Sequence, residues 1–241
     1  MPSAALPLAP WRVVACNLPE HARNAIHTDA GAQAAGFPRA LVAGVTTYAY
    51  LCHPLAAAWG LDWVAGGGAE LSFVSPVFDN DLVECVIAGD DADIVEARVG
   101  GERRAAVRGL LVAPTFEFSA GGEPLPTLEV DLVGEFGADY ATRAGDDLDL
   151  FASHGVVHPA VWVALANSVV HRNLVDGPWV HTRSTIAHHA AARAGGRAHV
   201  ASRVIDRFER RSGERAVLAV EITVDNAPVA TVEHEAIIRL T

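Results

Sequence analysis

The sequence predicts an α+β protein of two similar halves, each an antiparallel sheet with one long helix buried against it. Three observations predict it. Gly44 to Trp59 and Pro159 to Arg172 have helical spacing but are apolar nearly all round, which is the pattern of enclosed helices. Runs of strand length follow each of them, divided by turn residues. Laying Leu41-Val42-Ala43-Gly44-Val45 on Val156-Val157-His158-Pro159-Ala160, an offset of 115 residues, superimposes the two helices and repeats the order of strands behind them.

Along the chain, Trp11 to Cys16 reads as a strand, and Asn17 to Thr28, rich in turn and cap residues, as loop or broken helix. In the first helix Val45, Tyr48, Ala49, Cys52, Ala56 and Trp59 recur at helical spacing. Pro54 removes a backbone hydrogen bond and is expected to kink it, and Gly60 to end it. Strands are then expected at Glu70 to Val77, Leu82 to Ile87, Asp93 to Val99 and Arg104 to Val112, turning at Asp79-Asn80, Asp90-Asp91 and Gly100-Gly101. Pro114 to Leu148 collects Pro, Gly and acidic residues around one strand, Leu128 to Val133, and reads as a connector. After the second helix come strands Val180 to Ala187, Ala198 to Phe208, Ala216 to Val224 and Val229 to Leu240, with turns at Ser212-Gly213 and Asn226-Ala227. This divides the chain into an N-terminal unit (1–118), a connector (119–148) and a C-terminal unit (149–241).

Composition narrows the function. Of 241 residues, 51% are hydrophobic, enough for a sizeable core. The basic residues are all arginine, 18 of them against 29 acids, and the net charge of -11 has the wrong sign for a chain that wraps phosphate backbones. Nucleic acid is therefore not expected as a partner. Every apolar run is interrupted short of the ~20 residues a membrane span needs. Met1 to Pro10 lacks the pattern of a secretory signal, so a cytoplasmic location is expected. Cys16, Cys52 and Cys85 form no C-x-x-C pair and suggest reduced thiols. His181, His188, His189 and His199 follow no metal-ligand spacing, so no metal is expected. Ser184 lacks a nucleophile elbow, and Gly66-Gly67-Gly68 lacks the lysine of a phosphate loop. Arg207, Arg210, Arg211 and Arg215 surround Ser212-Gly213 with acids interspersed, as in a solvated hairpin tip, although arginine would also suit the phosphates of coenzyme A.

The residues before the first helix carry the chemistry: Asn24-Ala25-Ile26-His27-Thr28-Asp29, then Gly36-Phe37, then Leu41-Val42-Ala43-Gly44. This order resembles the MaoC-like hydratase/dehydratase family, whose motif runs Asp-x-Asn-Pro-Ile/Leu-His-x-Asp, then Gly-Phe, then Ile/Val-x-His-Gly. Asn24, Ile26, His27, Asp29, Gly36, Phe37, Val42 and Gly44 match, and Val157-His158-Pro159-Ala160 looks like a decayed second copy. The resemblance implies a double hotdog, two antiparallel sheets each wrapped around a long central helix, with one acyl-thioester site between the halves. It departs from the family at Ala22, where the catalytic aspartate should stand, at Ala25, and at Ala43, where the helix-start histidine should stand.

Removing a thioester α-proton needs a base near the working pH and stabilisation of the enolate oxygen. His27 is the right kind of base. The backbone N–H groups of Gly44 and Val45, unpaired at a helix N-terminus, are candidate donors to that oxygen. Asn24 is placed to hold a hydroxyl or water. Glu20 is the nearest carboxylate that can take over from the absent aspartate, and Asp29 is a candidate orienter of His27 or a cap for the following turn. His27 is expected to line a cleft within reach of the Gly44 helix end.

The expected activity is hydration or dehydration of an enoyl/3-hydroxyacyl thioester, with coenzyme A or a carrier protein as the acyl carrier and no resident cofactor. Two alternatives stay open: a hotdog thioesterase in which Glu20 or Asp29 activates water, and a non-catalytic acyl-binding protein. A homodimer stays open as well.

Overall fold

The computed structural model describes residues 6–89, 92–116 and 121–241; the expected turn at Asp90-Asp91 lies outside them. The first half holds strand β1 (Trp11–Val14), two single 3₁₀ turns (Pro19–Arg23 and Ala25–His27), helix α1 (Asp29–Ala34) and the long helix α2 (Gly44–Gly66). Strands β2 (Gly68–Phe73), β3 (Leu82–Ile87), β4 (Ile94–Val99) and β5 (Glu102–Leu110) follow. Then come β6 (Glu123–Asp131), helices α3 (Tyr140–Arg143), α4 (Leu150–His154) and α5 (Ala160–Asn173), and strands β7 (Val180–His188), β8 (Arg197–Arg210), β9 (Gly213–Val224) and β10 (Ala227–Leu240).

The ten strands form one antiparallel sheet in the order β1-β3-β4-β5-β2-β7-β10-β9-β8-β6. The two expected antiparallel sheets are thus halves of a single one. The halves join where β2 pairs with β7, Leu71 opposite Ser184, so each half's open edge is closed by the other. The strand within the connector, β6, pairs with β8 at the far edge. Helix α2 packs on the β1–β5 side and on β7, α5 packs on β10 and β6, and the two helices touch. One apolar core runs through both halves, with Leu51, Leu55 and Trp63 from α2 and Trp162 and Leu165 from α5 fully buried in it. No helix among the described residues is long and apolar enough to cross a membrane.

Helix α2 runs past the expected stop and keeps helical backbone through Pro54; the break is at Gly60, with φ 58° and ψ -152°. A proline costs the helix one hydrogen bond, whereas Gly60 takes a conformation open essentially to glycine alone, so the bend settles there. Before α2, a small separate cluster of Ile26, Ala32 and Leu41 fastens the 3₁₀ turns to the body of the protein. The Leu41 N–H donates to the Ile26 carbonyl at 3.0 Å, which fixes the loop carrying His27 against the strand-like segment that leads into α2.

Candidate functional site

The site forms where the 3₁₀ turns meet the N-terminus of α2. The Thr46 and Thr47 N–H groups both donate to the Ala43 carbonyl, at 2.9 and 3.0 Å. That leaves the Gly44 and Val45 N–H groups without a backbone partner among the described residues, at the positive end of a 23-residue helix. Gly44 is also where the fold needs a missing side chain. A Cβ there would stand 3.1 Å from Phe73 Cζ and 3.3 Å from His181 Nδ1.

Two cavities meet in front of this helix end. One, of about 470 Å³, is lined by Glu20, His21, His27, Val45, Tyr140 and residues of α5. The other, of about 390 Å³, is lined by His27, Gly44 and His181 and by apolar residues including Phe37, Val42, Phe73 and Ile237. Asn24, His27, Asn167 and Trp179 line both. The first two come from the N-terminal half and the last two from the C-terminal half, so the cleft lies between the repeats.

His27 is poised as a base. Its Nδ1 lies 2.8 Å from the Leu41 carbonyl oxygen, to which only a protonated nitrogen can donate, so the neutral ring keeps its lone pair on Nε2. Burial lowers its pKa and the Leu41 carbonyl partly offsets that. His21, 6.0 Å away ring to ring, is held down to about 4 by burial and by the repulsion of His27. Its Nε2 shares a hydrogen bond of 3.0 Å with the Thr46 hydroxyl in the first turn of α2.

Asn24 is buried and donates its amide to the Trp179 carbonyl at 3.0 Å. The Asn24 Oδ1, Asn167 Oδ1, Trp179 Nε1 and His181 Nδ1 atoms are buried with no hydrogen-bond partner among the described residues, and all four residues line the cleft. Proteins rarely leave such atoms unpaired in one place, and a cleft built to bind polar groups is one setting in which they do.

The two candidate carboxylates have different surroundings. Glu20 lines the first cavity and binds Arg143 through Oε1 at 2.7 Å, so its charge is balanced. Asp29 is exposed, lines neither cavity and accepts the Ala40 N–H at 2.8 Å. Capping of α1 falls to Thr28, whose hydroxyl accepts from the Gly31 N–H. Ala22 is exposed and outside the lining of both cavities. His158, the counterpart in the second half of the vacant helix-start histidine, is sealed between Phe151 and Tyr140, and burial pushes it down to about 3.

Sequence reasoning missed His21, Asn167 and Trp179 and weighed His181 only as a metal ligand. Asn167, Trp179 and His181 reach the cleft only because the two halves pack together, which no local spacing encodes, and His21 reaches it from the same 3₁₀ segment as Glu20. Away from the cleft, His53 stacks on Trp11 and lies 2.7 Å from Asp147 and 3.7 Å from Asp146.

Scanned against protein-family models and against curated proteins, the chain finds no match. Its shape does find relatives among solved structures. A protein described as a MaoC domain dehydratase from Chloroflexus aurantiacus superposes with a TM-score of 0.64 at 12% identity, over 98% of this chain and 95% of that one. A conserved protein from Mycobacterium tuberculosis described as having a double hotdog fold gives 0.62 at 10% identity, over 96% of each chain. An oleoyl thioesterase from Lactobacillus plantarum gives 0.50 at 10% identity, over 99% of each. The fold is a double hotdog, and its structural neighbours include proteins described as MaoC-like dehydratases and as thioesterases.

Proposed function

We propose that this protein is an acyl-thioester hydro-lyase that adds water to an enoyl chain or removes it from a 3-hydroxyacyl chain. The observation that carries the reading is the convergence of His27, Asn24 and the free N–H groups of Gly44 and Val45 on one cleft between the halves. In the hydration direction, His27 Nε2 takes a proton from water as the water oxygen bonds to the β-carbon. The electrons of the double bond move onto the thioester oxygen, whose charge meets the helix N–H groups. The carbonyl then re-forms as the α-carbon takes the proton from His27 Nε2, which returns the ring to its neutral state, and Asn24 Oδ1 accepts a hydrogen bond from the attacking water. The apolar walls of the second cavity suit the acyl chain, and the polar first cavity suits its carrier. Glu20, balanced by Arg143, holds the α3 segment near His21 and is a positioning residue in this scheme.

The test is mass spectrometry of crotonyl-, 3-hydroxybutyryl- and butyryl-coenzyme A after incubation with the protein. Gain or loss of one water on the first two supports the hydro-lyase. Free acid from any of them would replace it with a thioesterase, and three unchanged thioesters would leave a binding protein.

A further inference from the structure

His181, in the wall of the second cavity, heads a chain of three side chains that runs back from it into the core and that the scheme above leaves unused. His181 Nε2 lies 2.8 Å from the Ser184 hydroxyl, and that hydroxyl lies 2.9 Å from His234 Nδ1. All three residues are buried, the two imidazoles are 4.2 Å apart, and Ser184 and His234 are register partners on β7 and β10. At the open end of the chain, His181 Nδ1 has no partner among the described residues and stands against the glycine that begins α2.

We propose that His181 is a further donor in the oxyanion site, a neutral imidazole whose Nδ1–H points at the thioester oxygen beside the Gly44 and Val45 amides, and that Ser184 and His234 fix it in that tautomer. This rests on the thioester reading of the cleft. The argument for the tautomer is one of proton accounting. A serine hydroxyl has one hydrogen, so with both rings neutral it donates to one and accepts from the other. If it donated to His234, His181 would keep a bare Nδ1 at the cleft, and the unpartnered His234 Nε2 would be a buried N–H with no acceptor. If it donates to His181, His234 Nδ1–H closes the chain, its Nε2 is a buried lone pair, and the free N–H stands at the cleft where a ligand oxygen can accept it. Each arrangement leaves one donor and one lone pair unpaired; because an orphaned donor in the interior is the rarer case, the arrangement that puts the donor at the cleft, where a ligand oxygen can accept it, and the lone pair in the core is favoured. Burial holds both rings neutral, His181 down to about 3 against a partial offset from the Arg183 carbonyl and the Glu235 charge, and a helix N-terminus next to Nδ1 opposes a cation there as well. A neutral imidazole in such a place serves as an electrophile rather than as a base.

Two measurements test the assignment. Ring ¹⁵N NMR of the unliganded protein should find His181 as the neutral Nδ1–H tautomer; the Nε2–H tautomer would overturn the proposal whatever the substrate. The carbonyl stretch of bound crotonyl-coenzyme A should move to lower frequency on wild-type protein and lose most of that shift in His181→Ala, with kcat falling about 10²- to 10³-fold and KM little changed. Ser184→Ala keeps His181 in place and should lose the tautomer preference together with part of the shift, which a merely structural serine would not do. A wild-type protein that turns over while His181→Ala retains the full shift and rate would overturn the inference alone. A wild-type protein that neither shifts nor converts the thioester would overturn the thioester reading itself.

Discussion

His27→Gln removes the Nε2 lone pair but keeps an amide able to donate to the Leu41 carbonyl, so it separates base chemistry from loop structure. Turnover of crotonyl-coenzyme A should fall about 10²- to 10⁴-fold with the thermal midpoint little changed. A wild-type rate in this variant would remove His27 from the mechanism. Ala22→Asp restores the aspartate of the MaoC-like motif, but position 22 faces solvent outside both cavities, so the rate should stay within about twofold of wild type. A large gain would mean that the 3₁₀ turn at Pro19–Arg23 rearranges to bring the carboxylate inward. At this scale the motif order made His27, Asn24 and Gly44 legible, because they are local in the chain. His181 and Trp179 were not legible, because only the β2–β7 seam and the packing of α5 bring them to the same place.

Single elements were easier to read than single side chains. Apart from the four-residue β1 and the proline-interrupted β6, the strands alternate or run apolar over six or more residues, and the long helices are apolar over several turns, so period alone places them to within a few residues at most ends. Helices α3 and α4 are four and five residues long, too short to display a helical period; α3 lies inside the expected connector and α4 just beyond it, where no element was expected. The bend of α2 was placed at Pro54 from its missing donor, whereas Gly60 absorbs it through a backbone conformation that a side chain would strain. Gly60→Ala should therefore destabilise the protein by about 1–3 kcal/mol although nothing lies within 4 Å of the added methyl, because the cost is in φ and ψ rather than in contacts. Urea unfolding measures it, and an unchanged midpoint would mean that α2 straightens at no cost.

Across the whole molecule the most exposed consequence of the architecture is its response to acid. His158, His181 and His188, fully enclosed, and His21, half-buried at the cleft, are held down to between about 3 and 4, and His234 lies well below its usual range. Their common cause is desolvation, because joining two half-sheets into one and closing helices against it puts imidazoles where water cannot reach. In the unfolded chain each takes up a proton near pH 6.5, while in the folded chain each stays neutral to far lower pH. The unfolded state therefore binds more protons below pH 6.5, and the stability these residues lend is complete above that pH and drains away as the pH falls toward 4. Each contributes a slope of up to about 1.4 kcal/mol per pH unit. Asp146, whose carboxyl burial pushes up, acts in the opposite sense beside His53. The carboxylates of Glu96 and Glu235 are held down by their arginine partners and give way only below the usual carboxylate range, so the interval from pH 7.5 to 5.5 reports mainly on histidine. Stability from urea unfolding should be nearly flat from pH 7.5 to about 7 and then fall, by roughly 5 kcal/mol in all by pH 5.5. His158→Asn should make that fall shallower by the share of one group, because His158 lies in the core and its one hydrogen bond is accepted from the Ala160 N–H. A midpoint independent of pH across the interval would mean that these rings take up protons in the folded chain at the same pH as in the unfolded one, near 6.5, and with that the firmly neutral His181 on which the oxyanion assignment depends would be lost.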